Sequence, residues 1–273
     1  MGDLPRRAWF WGAVGLAFVM AVWLVFAVLG WRGEPDSCTL AGGNCYCEAY
    51  SADPVPVRQP VNTWSGLVAA LGGLILLAIA DRDRASKPAG AGPMRDGGFY
   101  AIAYGALAVF LGPGAMFFHA GLTRFGGWLD NMSMVLYVSF LVLYDASRIF
   151  RFEGSKALVI GLYAAVNVLF GILIWLVDGT GTVAFTVLAV TAVIAQIAIL
   201  GWRPGGLRRS FTPWLLVALV TFGVAFVVWR LSWTGAPLCA PDSALQGHGL
   251  WHVLGMAATP FVLFFYLRDE TRE

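Results

Sequence analysis

Residues 247–255 read Gly-His-Gly-Leu-Trp-His-Val-Leu-Gly and stand at the start of a long apolar run near the end of the chain. They place His248 and His252 four residues apart. On a helix, residues i and i+4 lie on one face with Cβ atoms about 5–6 Å apart, so two imidazoles at this spacing can bind one metal ion. The third histidine, His119, ends another apolar run. Ionisable residues are costly inside a bilayer, which makes all three histidines functional candidates.

The composition predicts an integral membrane protein. Of the 273 residues, 59% are hydrophobic and 12% are charged, and the mean hydropathy is +0.72. Runs of about twenty apolar residues recur along the chain, which is the length a helix needs to cross a hydrocarbon core. These runs leave no room for a separate soluble domain. The net charge of +2, without a basic cluster among aromatics, argues against a nucleic-acid partner.

We expect eight transmembrane helices. The first apolar run, at 9–31, is longer than the apolar centre of a signal peptide, which has about 7–15 residues. No small-residue cleavage site is evident, so we expect this first span to remain uncleaved. The other spans are expected near 61–80, 99–119, 128–145, 157–177, 183–201, 213–233 and 245–267.

Basic residues predict the orientation of these spans. Of the 18 Lys and Arg residues, 14 fall in segments on one side of the membrane, and this excess marks the cytoplasmic side. Both termini are therefore expected in the cytoplasm. The 14 residues are Arg6, Arg7, Arg82, Arg84, Lys87, Arg95, Arg148, Arg151, Lys156, Arg203, Arg208, Arg209, Arg268 and Arg272.

This topology places three histidines and one carboxylate at the same depth, near the outer surface. His119 ends the third span, Asp130 is at the start of the fourth, and His248 and His252 are at the start of the eighth. One intramembrane histidine is as often a hydrogen-bonded core residue as a ligand, but three at one level predict a single zinc ion. Three protein ligands leave a fourth position for water, as in catalytic zinc sites, whereas a structural zinc has no open position.

Asp130 is the candidate general base. A zinc ion lowers the pKa of its bound water toward ~7 and polarises a carbonyl oxygen. The run at 248–252 lacks the glutamate of the His-Glu-x-x-His metalloproteases, so the base must come from elsewhere. The alternative interpretation of Asp130 is a carboxylate at a helix N-terminus that the macrodipole stabilises.

All four cysteines fall in predicted outer loops. Cys38, Cys45 and Cys47 are in the first of these loops, and Cys239 is in the last. This distribution is typical of disulfides in an oxidising compartment, although a Cys-x-Cys metal site or free thiols would also fit it. Four cysteines allow three pairings, among which the sequence pattern does not choose.

Several motifs, in this order along the chain, resemble those of the alkaline ceramidases. That family belongs to a superfamily of seven-span intramembrane zinc hydrolases that includes the adiponectin-receptor-like proteins. The matching residues are Cys47-Glu48, Asn62-Thr63-Trp64-Ser65, Phe117-Phe118-His119, Leu129-Asp130 and His248-x-x-x-His252. The resemblance covers about residues 45–267.

The resemblance implies an all-α integral membrane protein with a seven-helix ceramidase-like core and one extra N-terminal transmembrane helix. The expected division is the extra helix at 1–31, a cysteine-containing extracytoplasmic loop at 32–60, the seven-helix domain at 61–267 and a cytoplasmic tail at 268–273.

The resemblance also implies site residues. His119, His248 and His252 match the zinc ligands, and Asp130 matches an aspartate near the metal-bound water. The implied disulfides are Cys47–Cys239 and, from the remaining two cysteines, Cys38–Cys45.

Two departures from the family pattern stand out. Ala115 stands where the family has a serine, to which the resemblance assigns a role in stabilising the oxyanion. Ser65 and Ser133 are the candidate replacements, although each hydroxyl could instead bond to its own helix backbone.

The second departure is in the calcium-binding loop. Cys45, Tyr50 and Gln59 stand where the family has aspartate, asparagine and glutamate, which leaves Glu48 as the only carboxylate. Calcium prefers several oxygen ligands including carboxylates, so we do not expect calcium here.

The expected activity is zinc-dependent hydrolysis of the linear amide of ceramide, or of a ceramide-like N-acyl lipid, to a fatty acid and a sphingoid base. The expected partner is a membrane lipid. The alternative is a zinc-stabilised membrane receptor or lipid-binding protein with little or no turnover. Ala115 favours this alternative and Asp130 favours the enzyme.

Overall fold

The computed structural model describes residues 7–40, 45–50, 55–86, 92–95, 98–201, 207–209 and 213–272. Arg6, Lys87, Arg203 and the segments 41–44 and 51–54 of the first predicted outer loop lie outside the described residues. The helices are α1 (Ala8–Leu29), α2 (Ser37–Leu40), α3 (Pro60–Ser86), α4 (Phe99–Gly121), α5 (Arg124–Ile149), α6 (Lys156–Leu176), α7 (Thr180–Gly201), α8 (Pro213–Leu231) and α9 (Gly247–Asp269). Two short strands, β1 (Leu207–Arg209) and β2 (Glu270–Arg272), pair antiparallel.

Eight of the described helices, all except α2, are long and apolar enough to cross a membrane. The predicted all-helical architecture of eight spans is therefore confirmed. Helix α3 continues past its predicted end at residue 80 because charged pairs stabilise its last turns. Arg84 pairs with Asp81 at 3.0 Å, and Arg95 pairs with Asp83 at 2.7 Å.

Long-range contacts fit helices that cross in alternating directions. The Trp9 backbone N–H, at the start of the first span, donates to Asp81 at the end of the second, over 3.1 Å. The β1–β2 pairing joins the segments that follow α7 and α9, the sixth and eighth spans. The Cys47–Cys239 disulfide joins the loops that follow the first and seventh spans. If successive spans cross the membrane in alternating directions, the two partners of each contact lie on the same side of the membrane.

Small residues bring α3, α4 and α5 close together. A Cβ added at Gly112 of α4 would lie 2.6 Å from the Cβ of Ala70 in α3. A Cβ added at Gly114 would lie 2.6 Å from the Cβ of Ser133 in α5. Glycine at these two positions permits close helix contact in a bilayer, where packing drives helix association. This contact places the C-terminal end of α4 against the first turns of α5.

Helix α1 packs on the outside of α3 and α4. Most of its surface is exposed, as suits a helix surrounded by lipid, but Trp23 is buried. The Trp23 indole N–H donates to the Met116 carbonyl oxygen over 3.2 Å. Helix α1 is thus attached to α4 three residues before His119.

Candidate metal centre

The structure brings the three histidines together. His119 lies in the last turn of α4, and His248 and His252 lie in the first two turns of α9. Their candidate ligand nitrogens all lie within 4.8 Å of one another. His119 and His248 are buried, and His252 is partly buried. Two facing nitrogens, His119 Nε2 and His248 Nε2, are 3.1 Å apart.

Gln59 orients His119. The Gln59 amide nitrogen donates to two backbone carbonyls, those of Cys45 at 2.6 Å and Glu48 at 2.8 Å. The other amide atom, Oε1, therefore faces His119 Nδ1, at 2.8 Å. An oxygen there can only accept, so Nδ1 carries the proton and Nε2 presents its lone pair. This tautomer is the one that a metal ion at Nε2 requires.

Ser65 orients His252 in the same way. The Ser65 hydroxyl donates to the Asn62 carbonyl oxygen at 3.0 Å, and its oxygen lies 2.8 Å from His252 Nδ1. Because the hydroxyl hydrogen is already donated, Nδ1 is the donor to Ser65 and His252 Nε2 carries the lone pair. The structure thus places Ser65 behind a candidate ligand, whereas sequence reasoning considered it as an oxyanion donor.

Tyr46 stacks on His248. The two ring centroids are 4.1 Å apart and the planes make an angle of 20°. His248 Nδ1 is buried and has no hydrogen-bond partner among the described residues, so Tyr46 positions this imidazole by ring contact. Burial raises the pKa of the Tyr46 phenol, and the nearby Asp130 and Asp36 carboxylates raise it further. The phenol therefore keeps its proton at neutral pH.

Two disulfides hold the loop that carries Tyr46. Cys38 pairs with Cys45 and Cys47 pairs with Cys239, each with Cα atoms 5.4 Å apart. The structure therefore contains both disulfides that the resemblance implies. One disulfide is formed by the residue before Tyr46 and the other by the residue after it, since Cys45 and Cys47 are its neighbours in the chain.

Protein hydrogen bonds organise the remaining residues of this loop. The Glu48 carboxylate accepts from the backbone N–H groups of Val61 and Asn62, at 2.8 Å each, in the first turn of α3. Burial raises the pKa of Glu48, and these two N–H groups oppose the shift. Glu48 thus interacts favourably with the positive end of a helix. That the loop binds no calcium stays a prediction.

Asp130 faces the same space from α5. It is buried and lines a cavity together with His248 and His252. The N-cap of α5 is Thr123, whose hydroxyl accepts from the Gly126 N–H at 3.1 Å, and the first turn holds no acidic residue. Asp130 is therefore not a helix-capping carboxylate. Asp130 lies on the wall of this cavity.

Ser133 and Ala115 also line this cavity. The Ser133 hydroxyl donates to the Asp130 carbonyl oxygen over 2.7 Å, so it is bonded to its own helix backbone. Ala115 is buried one turn before His119 and brings no hydrogen-bonding group. Neither residue contributes a free donor in this arrangement.

The cavity continues from the histidines between α5, α7, α8 and α9, and most of its lining is apolar. It extends along α9 from His252 to Tyr266, and fourteen residues of helix correspond to about 21 Å. At the far end, Gln196 donates to Asp145 and to the Tyr266 hydroxyl. A mostly apolar cavity that has candidate metal ligands and a carboxylate at one end suits a lipid that carries a reactive polar group next to a hydrocarbon chain.

A comparison with protein families supports the same interpretation. No curated protein matches the chain. The family model described as Ceramidase matches residues 46–272, a range that contains the three histidines, Asp130 and seven of the eight candidate spans. Because this match covers most of the sequence, the chain belongs to the ceramidase family.

Proposed function

We propose that this protein is a zinc-dependent intramembrane amidase that hydrolyses ceramide, or a ceramide-like N-acyl lipid, to a fatty acid and a sphingoid base. One observation carries the proposal: the ligand atoms of three buried or partly buried imidazoles lie within 4.8 Å of one another, and two of these residues, His248 and His252, line an apolar cavity together with Asp130. The family match supports the ceramide-hydrolysing activity in general terms.

The three histidines suit zinc. Tetrahedral coordination with Zn–N bonds of 2.0–2.1 Å separates two ligand nitrogens by about 3.3 Å. The distance of 3.1 Å between His119 Nε2 and His248 Nε2 is close to that value. The tautomers that Gln59 and Ser65 impose are also the ones that zinc needs. When bound, zinc lowers the pKa of water and polarises a carbonyl oxygen.

Asp130 supplies the acid–base chemistry in this proposal. Hydrolysis adds water to the amide carbonyl carbon, breaks the C–N bond and leaves a carboxylic acid and an amine. Asp130 accepts a proton from the attacking water and delivers it to the leaving nitrogen. Its position on α5, opposite the α9 histidines and on the wall of the same cavity, supports this role.

The apolar part of the cavity accommodates one hydrocarbon chain of the substrate. An all-staggered chain with C–C bonds of about 1.52 Å advances about 1.25 Å per carbon, so about 21 Å corresponds to roughly seventeen carbons. The lining residues below the metal centre include Leu141, Ala192 and Leu219, which offer aliphatic contacts to such a chain.

A lipid-binding protein with little or no turnover is the second candidate. The observation that favours it is Ala115, which leaves the cavity wall without a hydroxyl one turn from His119. In this alternative the metal ion would hold the histidines in place, and the cavity would retain an intact lipid.

Mass spectrometry of lipids distinguishes the two candidates. The purified protein, with its co-purified lipids recorded first, is incubated with ceramide in detergent micelles, and an Asp130→Asn variant serves as the matched control. We expect free fatty acid and sphingoid base in equal amounts from the native chain, and about 10²–10⁴-fold slower formation of both products by the variant. Intact ceramide retained by both proteins, without products, would favour the lipid-binding candidate.

We further propose that both termini face the cytoplasm and that the metal centre lies near the extracytoplasmic face, because Lys and Arg are concentrated in the segments on the other side. Ser155→Cys and Asp242→Cys variants test this, since both residues are exposed in loops on opposite sides. We expect an impermeant maleimide to label only the Asp242→Cys variant in intact cells. Labelling of both variants, or of Ser155→Cys alone, would contradict the orientation.

A further inference from the structure

Tyr46 lies at the candidate metal centre and has no role in the reaction proposed above. Its ring stacks on His248 and lies edge-on to His119, with centroids 5.8 Å apart. Tyr46 also lines the cavity, as do Ala115 and Asp130. The side chain is therefore next to both the candidate metal ligands and the space that a substrate would occupy.

The backbone holds Tyr46 in an unusual conformation. Tyr46 has φ +54° and Cys47 has φ +75°, in the left-handed region that residues with a side chain rarely adopt. Such a conformation persists when the surroundings determine it, and it is common at functional sites. Here both chain neighbours, Cys45 and Cys47, are in disulfides, and the Cys47 N–H donates to Thr234 over 3.2 Å. Tyr46 is thus positioned before any substrate binds.

Other hydroxyls on the cavity wall already donate their hydrogen within the protein. These donations run from Ser133 to the Asp130 carbonyl, from Tyr137 to the Tyr104 hydroxyl, from Thr259 to the Met256 carbonyl and from Tyr266 to the Asp145 carboxylate. Among the described residues that line the cavity, Tyr46 is the one whose hydroxyl is not committed to a protein acceptor. It can therefore donate to a bound molecule.

We propose that the Tyr46 hydroxyl donates a hydrogen bond to the carbonyl oxygen of the scissile amide as negative charge develops on that oxygen. This inference rests on the proposed hydrolysis and assigns a catalytic residue for it. The phenol keeps its proton throughout and only its hydrogen bond strengthens, while the proton of the attacking water moves to Asp130. A donor that is already in place stabilises the transition state without reorganisation. Tyr46 would supply the donor that Ala115 lacks.

Tyr46→Phe is the direct test, because phenylalanine keeps the ring that stacks on His248. Removal of one oxyanion donor lowers kcat by about 10²–10³-fold, so we expect a loss of that order with KM and zinc content near their native values. Tyr50→Phe is the matched control: it removes a hydroxyl from the same loop, but Tyr50 does not line the cavity. We expect Tyr50→Phe to keep the native rate.

Ala115→Ser provides a rescue. Residue 115 lies on the same cavity wall, so a serine hydroxyl there can take over the donation. We expect the Tyr46→Phe/Ala115→Ser double variant to hydrolyse ceramide about tenfold faster than Tyr46→Phe alone, or faster still. A rate in Tyr46→Phe equal to the native one would overturn the proposal.

Binding of a transition-state analogue separates failure of this inference from failure of the proposed function. The probe is a phosphonamidate analogue of ceramide, whose anionic oxygen stands in for the developing oxyanion. We expect Tyr46→Phe to bind this probe at least about tenfold more weakly than the native protein, with unchanged affinity for ceramide itself. If the native protein turns over no ceramide, the hydrolase proposal fails, and the probe still decides on Tyr46. Equal affinity of both proteins for the probe would overturn the role of Tyr46.

Discussion

Replacing His252 with alanine is expected to remove the metal ion and to lower ceramide hydrolysis at least ~10³-fold. The three imidazoles offer one ligand atom each within 4.8 Å, and His252 is one of only three candidate ligands in this cluster. Two histidines alone hold zinc weakly, because zinc sites normally have three or four protein ligands. Loss of the ion removes several kcal/mol of transition-state stabilisation, at 1.36 kcal/mol for each factor of ten in rate. Elemental analysis and turnover of the same sample provide the measurement.

Ser65→Ala is a graded control for this result. It leaves all three ligands in place and removes only the oxygen that accepts from His252 Nδ1, at 2.8 Å. Loss of such a partner typically costs 10–100-fold in metal affinity or activity. We therefore expect Ser65→Ala to lose zinc under mild chelation and to recover its activity when excess zinc is added. Full zinc content in His252→Ala would show that other residues hold the ion.

The eight spans could be predicted from the sequence because a bilayer imposes a simple length requirement on apolar runs. The meeting of His119, Asp130 and the α9 histidines was predictable for a related reason. When each span crosses the membrane once, its position in the chain fixes the depth of its ends, so residues far apart in sequence reach one level. Depth alone does not determine which side chains face each other; the packing of α4 and α9 against α3, and of α5 against α4, does.

The side chains that orient the ligands were not predictable in this way. In the sequence, Gln59 stands out only as a departure from a calcium-binding pattern, whereas in the structure its amide oxygen lies against His119 Nδ1. That Ser65 is an oxyanion donor stays a prediction, and its oxygen lies next to His252 Nδ1. Both roles depend on side-chain direction at the start of α3, which span periodicity does not determine. The two hydrogen bonds that the Gln59 amide nitrogen donates to backbone carbonyls direct its amide oxygen toward His119.

Tyr46 was missed entirely. The only sequence signal for it is its position between Cys45 and Cys47, and a Cys-Tyr-Cys run has no particular chemical meaning without its disulfide partners. The left-handed backbone at Tyr46 and Cys47 directs the ring toward His248, and this conformation follows from tertiary constraints rather than from local propensity.

Asp130→Asn is expected to lower kcat by about 10²–10⁴-fold while zinc content and ceramide affinity stay native, which is the range for loss of a general acid–base group. Asparagine has nearly the same size and keeps one carbonyl oxygen, but it cannot accept the proton of the attacking water. Asp130 is not among the histidine ligands and does not cap α5, so neither the metal ion nor the helix should depend on its charge. Single-turnover rates and elemental analysis of the same preparation provide the measurement.

Asp242→Asn is the matched control, because it makes the same chemical change at an exposed position in the loop before α9. We expect the native rate from it. If Asp130→Asn loses zinc together with activity, Asp130 belongs to the ligand set and the proton needs another acceptor. If Asp130→Asn keeps the native rate, the carboxylate has no part in the chemistry. If Asp130→Asn loses rate as expected, its role is still to be separated from that of Tyr46, because the donor to the carbonyl oxygen and the acceptor of the water proton act at different atoms. The Tyr46→Phe/Asp130→Asn double variant does so: independent roles predict that the two rate losses multiply.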